Sequence, residues 1–236
     1  MTAAINLTRL RGVEAAASAR GAVVVIDVLR AFTTAAYALA SGAREIVLVG
    51  TVEQAFALRR QWPNSVLVGE SGGRPIAGFD HGNSPAAMRS LDLRNKTVVL
   101  RSSSGTQGVV RAVYADEILL GSLVVASATA AWLRARAAHV TLLAMGSAAG
   151  PDGPEDDACA DHIAALLQGE PADPAQVAAA VRASPAGRQA LDPTIDWIVA
   201  DDLDCAVALD CFRFAMPVHR DRSHLIATRA APPPVT

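Results

Sequence analysis

Four separated stretches of this chain carry residues that could do chemistry. The first is Asp27-Val28-Leu29-Arg30. The second runs from Glu70-Ser71-Gly72-Gly73-Arg74 to Gly78-Phe79-Asp80-His81-Gly82-Asn83-Ser84-Pro85. The third is Ser102-Ser103-Ser104-Gly105-Thr106, and the fourth leads from Gly146 to Glu155-Asp156-Asp157. Carboxylate oxygens are hard ligands that suit Mg²⁺, which binds one or two carboxylates plus water and phosphate oxygens. Arginine adds bidentate recognition of phosphate, sulfonate or carboxylate. Serine hydroxyls and backbone N–H groups at a helix start can cradle an anion. Together the set suits metal-assisted phosphoryl transfer to water. Each stretch also has a structural reading. Asp27 can cap the next helix or pair with Arg30, and residues 155–157 can serve the dipole of a helix's first turn. Ser84 with Pro85 makes a good helix start.

The elements that must position these residues follow from the hydrophobic pattern. Apolar runs at 22–27, 45–49, 65–69, 97–101, 117–120 and 139–145 are nearly continuous, as strands covered on both faces are. Alanine-rich segments at 32–41, 52–61, 84–90, 107–115 and 124–137 predict intervening helices, with Gly42 as the stop of the first. Beyond Gly146 the pattern predicts helices at 155–167, 173–183 and 194–209, then a hairpin at 212–218 and 224–228. This order predicts an α/β fold of three layers, α/β/α, with a mostly parallel or mixed central sheet. Ligands in such folds bind beyond the carboxyl ends of the strands, and the four stretches follow strands. No linker or repeat divides the chain, so one domain over 1–236 is expected, with a frayed tail from about 230.

Composition narrows the function classes. The 236 residues include 21 basic and 23 acidic side chains, a net charge of −2, and 51% are hydrophobic. A near-neutral chain without a basic run is not expected to bind nucleic acid. The longest uncharged stretch, 118–133, is 16 residues, below the roughly 20 that a membrane span needs. No secretory signal is visible, and Cys159, Cys205 and Cys211 form no CxxC pair, so reduced thiols in a cytoplasmic protein are expected. Lys96 is the single lysine and lies outside any P-loop; no GxGxxG is present. Anions must therefore be met by arginine, backbone amides, hydroxyls or metal. His139, at a strand start, reads as structural.

The same segments resemble the 2-phosphosulfolactate phosphatases of coenzyme M biosynthesis. The resemblance rests on the Asp27–Arg30 motif, Gly69-Glu70-Ser71-Gly72-Gly73, the 78–85 motif, Ser103-Ser104-Gly105-Thr106, and Glu155-Asp156 with Cys159-Ala160. Two positions depart from that pattern: Ser104 replaces a usual asparagine, and Asp161 stands where glycine commonly follows Cys-Ala. The resemblance implies a Mg²⁺-dependent phosphatase that converts (R)-2-phospho-3-sulfolactate, or a related small acidic phosphomonoester, to 3-sulfolactate and phosphate. On this reading the catalytic set is Asp27, Glu70 and Asp80, with Cys159 as a covalent alternative to water. The metal set is Asp27, Glu70, Glu155 and Asp156. Arg30, Asn83, Ser84 and Ser102 through Thr106 (Ser102, Ser103, Ser104, Gly105, Thr106) bind the substrate. An isomerase or lyase using the same rim, or a non-catalytic phosphoester-binding module, are the alternatives. A homodimer is compatible with the sequence.

Overall fold

The central strands Ala22–Ile26, Glu45–Val49, Thr97–Arg101, Glu117–Gly121 and His139–Ala144 form where aliphatic and β-branched residues cluster. The structure is a computed structural model that describes residues 5–147, 150, 152–170, 172–221 and 224–233. The strands are β1 (Asn6–Arg11), β2 (Ala22–Ile26), β3 (Glu45–Val49), β4 (Val66–Ser71), β5 (Arg74–Pro75), β6 (Thr97–Arg101), β7 (Glu117–Gly121), β8 (His139–Ala144), β9 (Pro217–Asp221) and β10 (His224–Ala227). The helices are α1 (Gly12–Ala15), α2 (Ala31–Ala40), α3 (Val52–Gln61), α4 (Pro85–Arg89), α5 (Gly105–Arg111), α6 (Ala126–Arg134), α7 (Pro154–Gln168), α8 (Pro174–Ala183), α9 (Pro185–Ala190) and α10 (Ala200–Ala206).

The fold is a three-layer α/β/α arrangement around one mixed sheet, ordered β1-β8-β2-β7-β9-β10-β3-β6-β4-β5. Two parallel groups, β1-β8-β2-β7 and β3-β6-β4, flank the β9–β10 hairpin, whose ladders to β7 and β3 are antiparallel. Three antiparallel steps therefore set the second group opposite in sense to the first. One hydrophobic cluster unites Val23 and Val25 of β2, Ile46 and Leu48 of β3, and Val98 and Leu100 of β6 with residues of α2 and α5. The sheet thus wraps around these helices, and the carboxyl ends of β2, β4 and β6 meet. On the outer face α6, α7 and α8 cover Val24, Ile26, Leu119 and Leu142, while residues of α3 cover Val47, Val49, Leu67 and Val99. Alternate side chains of β2 feed different clusters, which is why the strand reads as unbroken apolar sequence. Each such side chain contributes roughly 1.5–3 kcal/mol on burial.

Helix ends follow their local chemistry. Gly42, at φ +100°, ends the α2 turn, with its N–H on the Leu39 carbonyl and the Ala43 N–H on that of Ala38; glycine takes this left-handed conformation without steric cost. Thr51 and Gln54 form a reciprocal cap on α3. Four expectations need correction. β1 lies in a region with no predicted strand. The single helix expected over 194–209 shrinks to α10, because the residues ahead of it form a turn in which Asp192 accepts the Thr194 N–H and hydroxyl. The final hairpin starts at Pro217 rather than 212 and sits mid-sheet. Ala230, expected in the frayed tail, pairs with Ala215; residues 234–236 of that tail lie outside the described ones. Among the described residues, no helix is long and apolar enough to cross a membrane.

Candidate active site

Asp27 leaves the end of β2 and ties two helices together. Its Oδ1 accepts the Ala31 N–H of α2 and its Oδ2 the Gly105 N–H of α5, both at 2.9 Å. A Cβ on residue 105 would lie 2.5 Å from Oδ2, so only glycine permits this approach. The carboxyl is 5% exposed. Burial pushes its pKa up to about 7, with Glu70 and Glu155 adding to the shift, against the lowering effect of the two N–H bonds. Asp27 is thus both a helix cap and a wall of the cavity.

Glu70 ends β4 and is held by the start of the β6–α5 turn. Its Oε1 accepts the Ser103 N–H; its Oε2 accepts the Gly73 N–H (2.6 Å) and the Ser103 hydroxyl (3.0 Å). The same Ser103 Oγ accepts from the Gly72 N–H and Arg101 Nη1, so it has no proton left to donate. The expected hydroxyl cradle turns inward. Ser102 and Thr106 accept each other's backbone N–H at 2.9 Å, and the Thr106 hydroxyl also donates to the Ser102 carbonyl. Ser104 donates to the Met145 carbonyl. Of these residues only Ser103 and Ser104 line the cavity.

Arg30 and Asn83 are buried in the same cavity. Arg30 pairs with Asp202 of α10, Nη1 to Oδ2 3.1 Å. Asn83 Oδ1 is buried without a hydrogen-bond partner. Ser84, expected at the substrate, caps α4 through the Ala87 N–H and donates to Asp202 Oδ1 at 2.6 Å. Trp197 and Gln189 complete the wall, and Arg74 stacks over the Trp197 ring, 3.9 Å from its centroid. None of Asp202, Trp197 and Gln189 belongs to the sequence-derived site. Asp202 sits beside Asp201 at a helix start, and nothing in the sequence separates the two. Asp201, the neighbour, meets Arg89 at the surface.

The first turn of α7 sends three consecutive acids to three places. Glu155 lines the cavity with its Oε2 buried and unpartnered, and burial raises its pKa. Asp156 is also pushed well up by burial, and by Asp27 and Glu155; its two oxygens accept the Val28 (2.7 Å) and Gly146 (2.9 Å) N–H groups. Asp157 pairs with Arg11 outside. Cys159 points into the apolar cluster between α7 and the sheet, where burial drives its thiol pKa well up; it does not reach the cavity. Asp80 is likewise absent from the cavity: it accepts the Leu67 N–H at 2.7 Å and pairs with Arg59 of α3.

The resulting cavity of about 290 Å³ lies where β2, β4, β6 and β8 end. Among the described residues no three His, Cys, Asp or Glu side chains are grouped as a metal cage. The donor set instead suits a cation that keeps most of its water and substrate ligands: Glu155 Oε2 is a buried hard oxygen with no protein partner, and so is Asn83 Oδ1. Both oxygens of Asp156 are already taken by backbone.

A wrapped α/β/α sheet with a carboxylate- and arginine-lined cavity at its strand ends defines a class of ligand-binding α/β proteins. A family profile described as 2-phosphosulpholactate phosphatase matches residues 9–194. The chain belongs to this family. It is similar to the probable 2-phosphosulfolactate phosphatases of Bacillus subtilis (36% identity over 62% of this chain and 64% of that one) and of Carboxydothermus hydrogenoformans (42% over 62% and 60%). A third relative of the same description, from Deinococcus radiodurans, is 39% identical over 61% and 60% of the two chains. The matched stretches span less than two thirds of these relatives' length. Asp202 and Trp197 lie beyond the residues that match the family profile.

Proposed function

We propose that this chain hydrolyses a phosphate monoester of a small anionic hydroxy acid, with (R)-2-phospho-3-sulfolactate as substrate, 3-sulfolactate and phosphate as products, and Mg²⁺ as cofactor. One observation carries this reading. Asp27, Glu70 and Glu155 reach a single 290 Å³ cavity together with Arg30 and Asn83, from three strand ends far apart in sequence. Family membership and the names of the relatives support the same substrate.

Arg30 binds an anionic group of the substrate, and Asn83 orients it. Glu155, with Asn83 Oδ1 on the wall of the same cavity, would hold the cation, whose chemistry there is to neutralise phosphoryl charge and activate water. Asp27 is the group that holds or moves a proton near neutral pH. Glu70 keeps the Gly72–Gly73 turn against Ser103, so the floor keeps its shape. Burial excludes most water from these groups and strengthens every contact to the transferring phosphoryl group.

Inorganic phosphate released from 2-phospho-3-sulfolactate, with Mg²⁺ or with EDTA, tests the reading. EDTA-sensitive release is expected; Asp27→Asn should cut kcat/KM on the order of 100-fold by removing the proton-holding group, and Glu70→Gln by a similar order through displacement of the floor, both in folded protein. No release across a panel of small phosphorylated acids overturns the function; release undiminished in EDTA overturns the cofactor.

A further inference from the structure

The Arg30 guanidinium is fixed by groups on the protein side of the cavity. Nη1 donates to the Trp197 carbonyl (2.9 Å) and to Asp202 Oδ2 (3.1 Å), and Nη2 donates to the Gly73 carbonyl (3.3 Å). Arginine has five N–H donors, so Nε–H and one Nη2–H remain for a ligand. Three carboxylates, Asp27, Glu70 and Glu155, line the same cavity, and a free guanidinium would be drawn to them. Among the described residues Arg30 pairs with none of the three; its ion pair is with Asp202, which is fully buried. The other oxygen of Asp202 accepts the Ser84 hydroxyl (2.6 Å) and the Ala86 N–H (3.2 Å), next to Asn83. One carboxylate therefore holds both Arg30 and the turn that carries Asn83.

We propose that Asp202 is a positioning residue for substrate discrimination: it holds Arg30 away from the cavity carboxylates, so that the free Nε–H and Nη2–H meet a second anionic group, a carboxylate or sulfonate, on the phosphoester. The proposal rests on the phosphatase reading and adds to it the residue that makes Arg30 selective. Ordering a long side chain before binding removes an entropic cost from the bound state, and a tethered fork recognises a planar anion better than a mobile charge does.

The test is the ratio of kcat/KM for 2-phosphoglycolate, which carries a carboxylate beside the phosphoester, to that for p-nitrophenyl phosphate, which has no second anion. Asp202→Asn should lower this ratio on the order of tenfold, the worth of one charge-assisted hydrogen bond. In the Arg30→Met background the same change should leave the ratio where Arg30→Met alone puts it. A purely structural role would weaken both esters in proportion and leave the ratio unmoved; that result, or a further drop in the double variant, overturns the proposal. Should Asp202→Asn not fold, Asp202→Glu, which keeps the charge but displaces it by one methylene, is read by the same ratio: a fall is expected, and an unmoved ratio overturns the proposal. A wild-type protein that releases phosphate from neither of these esters nor from 2-phospho-3-sulfolactate refutes the phosphatase reading alone. Calorimetric affinities for 2-phosphoglycolate and phenyl phosphate then replace the rates, and absence of a wild-type preference for the former overturns the role of Asp202.

Discussion

Asp27 and Gly105, 78 residues apart, meet through a 2.9 Å bond from the Gly105 N–H to Asp27 Oδ2. This contact joins the end of β2 to the start of α5 across two strand groups of opposite sense, and it leaves no space for a side chain at position 105.

Gly105→Ala should therefore act on the site first. The new Cβ would fall 2.5 Å from Asp27 Oδ2 and 3.0 Å from Phe32 Cζ, so the carboxylate must move. Overpacking costs about 1–3 kcal/mol, and a displacement of about 1 Å at a reacting group costs on the order of 100-fold in rate. Thermal unfolding and phosphate release measure the two effects. Wild-type kcat/KM in this variant would show that Asp27 need not sit where it does.

Stability should fall as pH rises across the range set by Asp27. Its pKa is raised from 3.8 in the unfolded chain to about 7 in the fold, so the folded state binds more protons between those values. The penalty of the buried charge begins above about pH 4 and is complete above about 7. Glu155 and Asp156 shift in the same direction. Denaturation midpoints in EDTA should decline from pH 5 to 8, with a shallower decline in Asp27→Asn, and Mg²⁺ should restore more at pH 8 than at pH 5. A midpoint that climbs with pH and ignores Mg²⁺ contradicts this.

Asp80→Ala should cost stability rather than turnover. The carboxylate holds the Leu67 N–H at the start of β4 and pairs with Arg59, away from the cavity. Loss of about 1 kcal/mol in urea denaturation is expected, with kcat/KM within about twofold of wild type. A collapse of turnover in a variant of unchanged stability would return Asp80 to the chemistry.

Cys159→Ala separates water from a covalent thiol as the nucleophile. The side chain is fully buried in the α7 cluster, so truncation should cost about 1–2 kcal/mol and leave phosphate release intact. Loss of burst and steady-state turnover together would establish the thiol as a reacting group.

The readable parts of this molecule are those in which one residue's surroundings are dictated locally. β2 is legible because Val23–Val25 and Val24–Ile26 bury opposite faces, and Asp27 because it follows such a strand. Thr51, Ser84 and Gly42 mark helix ends through bonds within a few residues. β1 is not legible: it is an edge strand on β8 whose Arg9 and Arg11 reach out to Asp161 and Asp157, so its pattern lacks an apolar run. The place of the β9–β10 hairpin depends on pairing with β7 and β3, some 100 and 180 residues away, which no local pattern encodes. Glu155, Asp156 and Asp157 look alike in sequence, yet a helical turn of 100° per residue sends them to the cavity, the backbone and the surface. Asp202 differs from Asp201 only by the same rotation.

The central position of the β9–β10 hairpin makes strands that follow all the others among the described residues the ones that join the sheet. Until residues 217–227 are delivered, β7 and β3 present open edges, each an aliphatic strand with unpaired N–H and C=O groups. Such edges are templates for pairing with other chains. A nascent chain therefore carries its two half-sheets unjoined from the end of β8 at Ala144 until β9 begins at Pro217, and its aggregation hazard ends only when the hairpin slots between them.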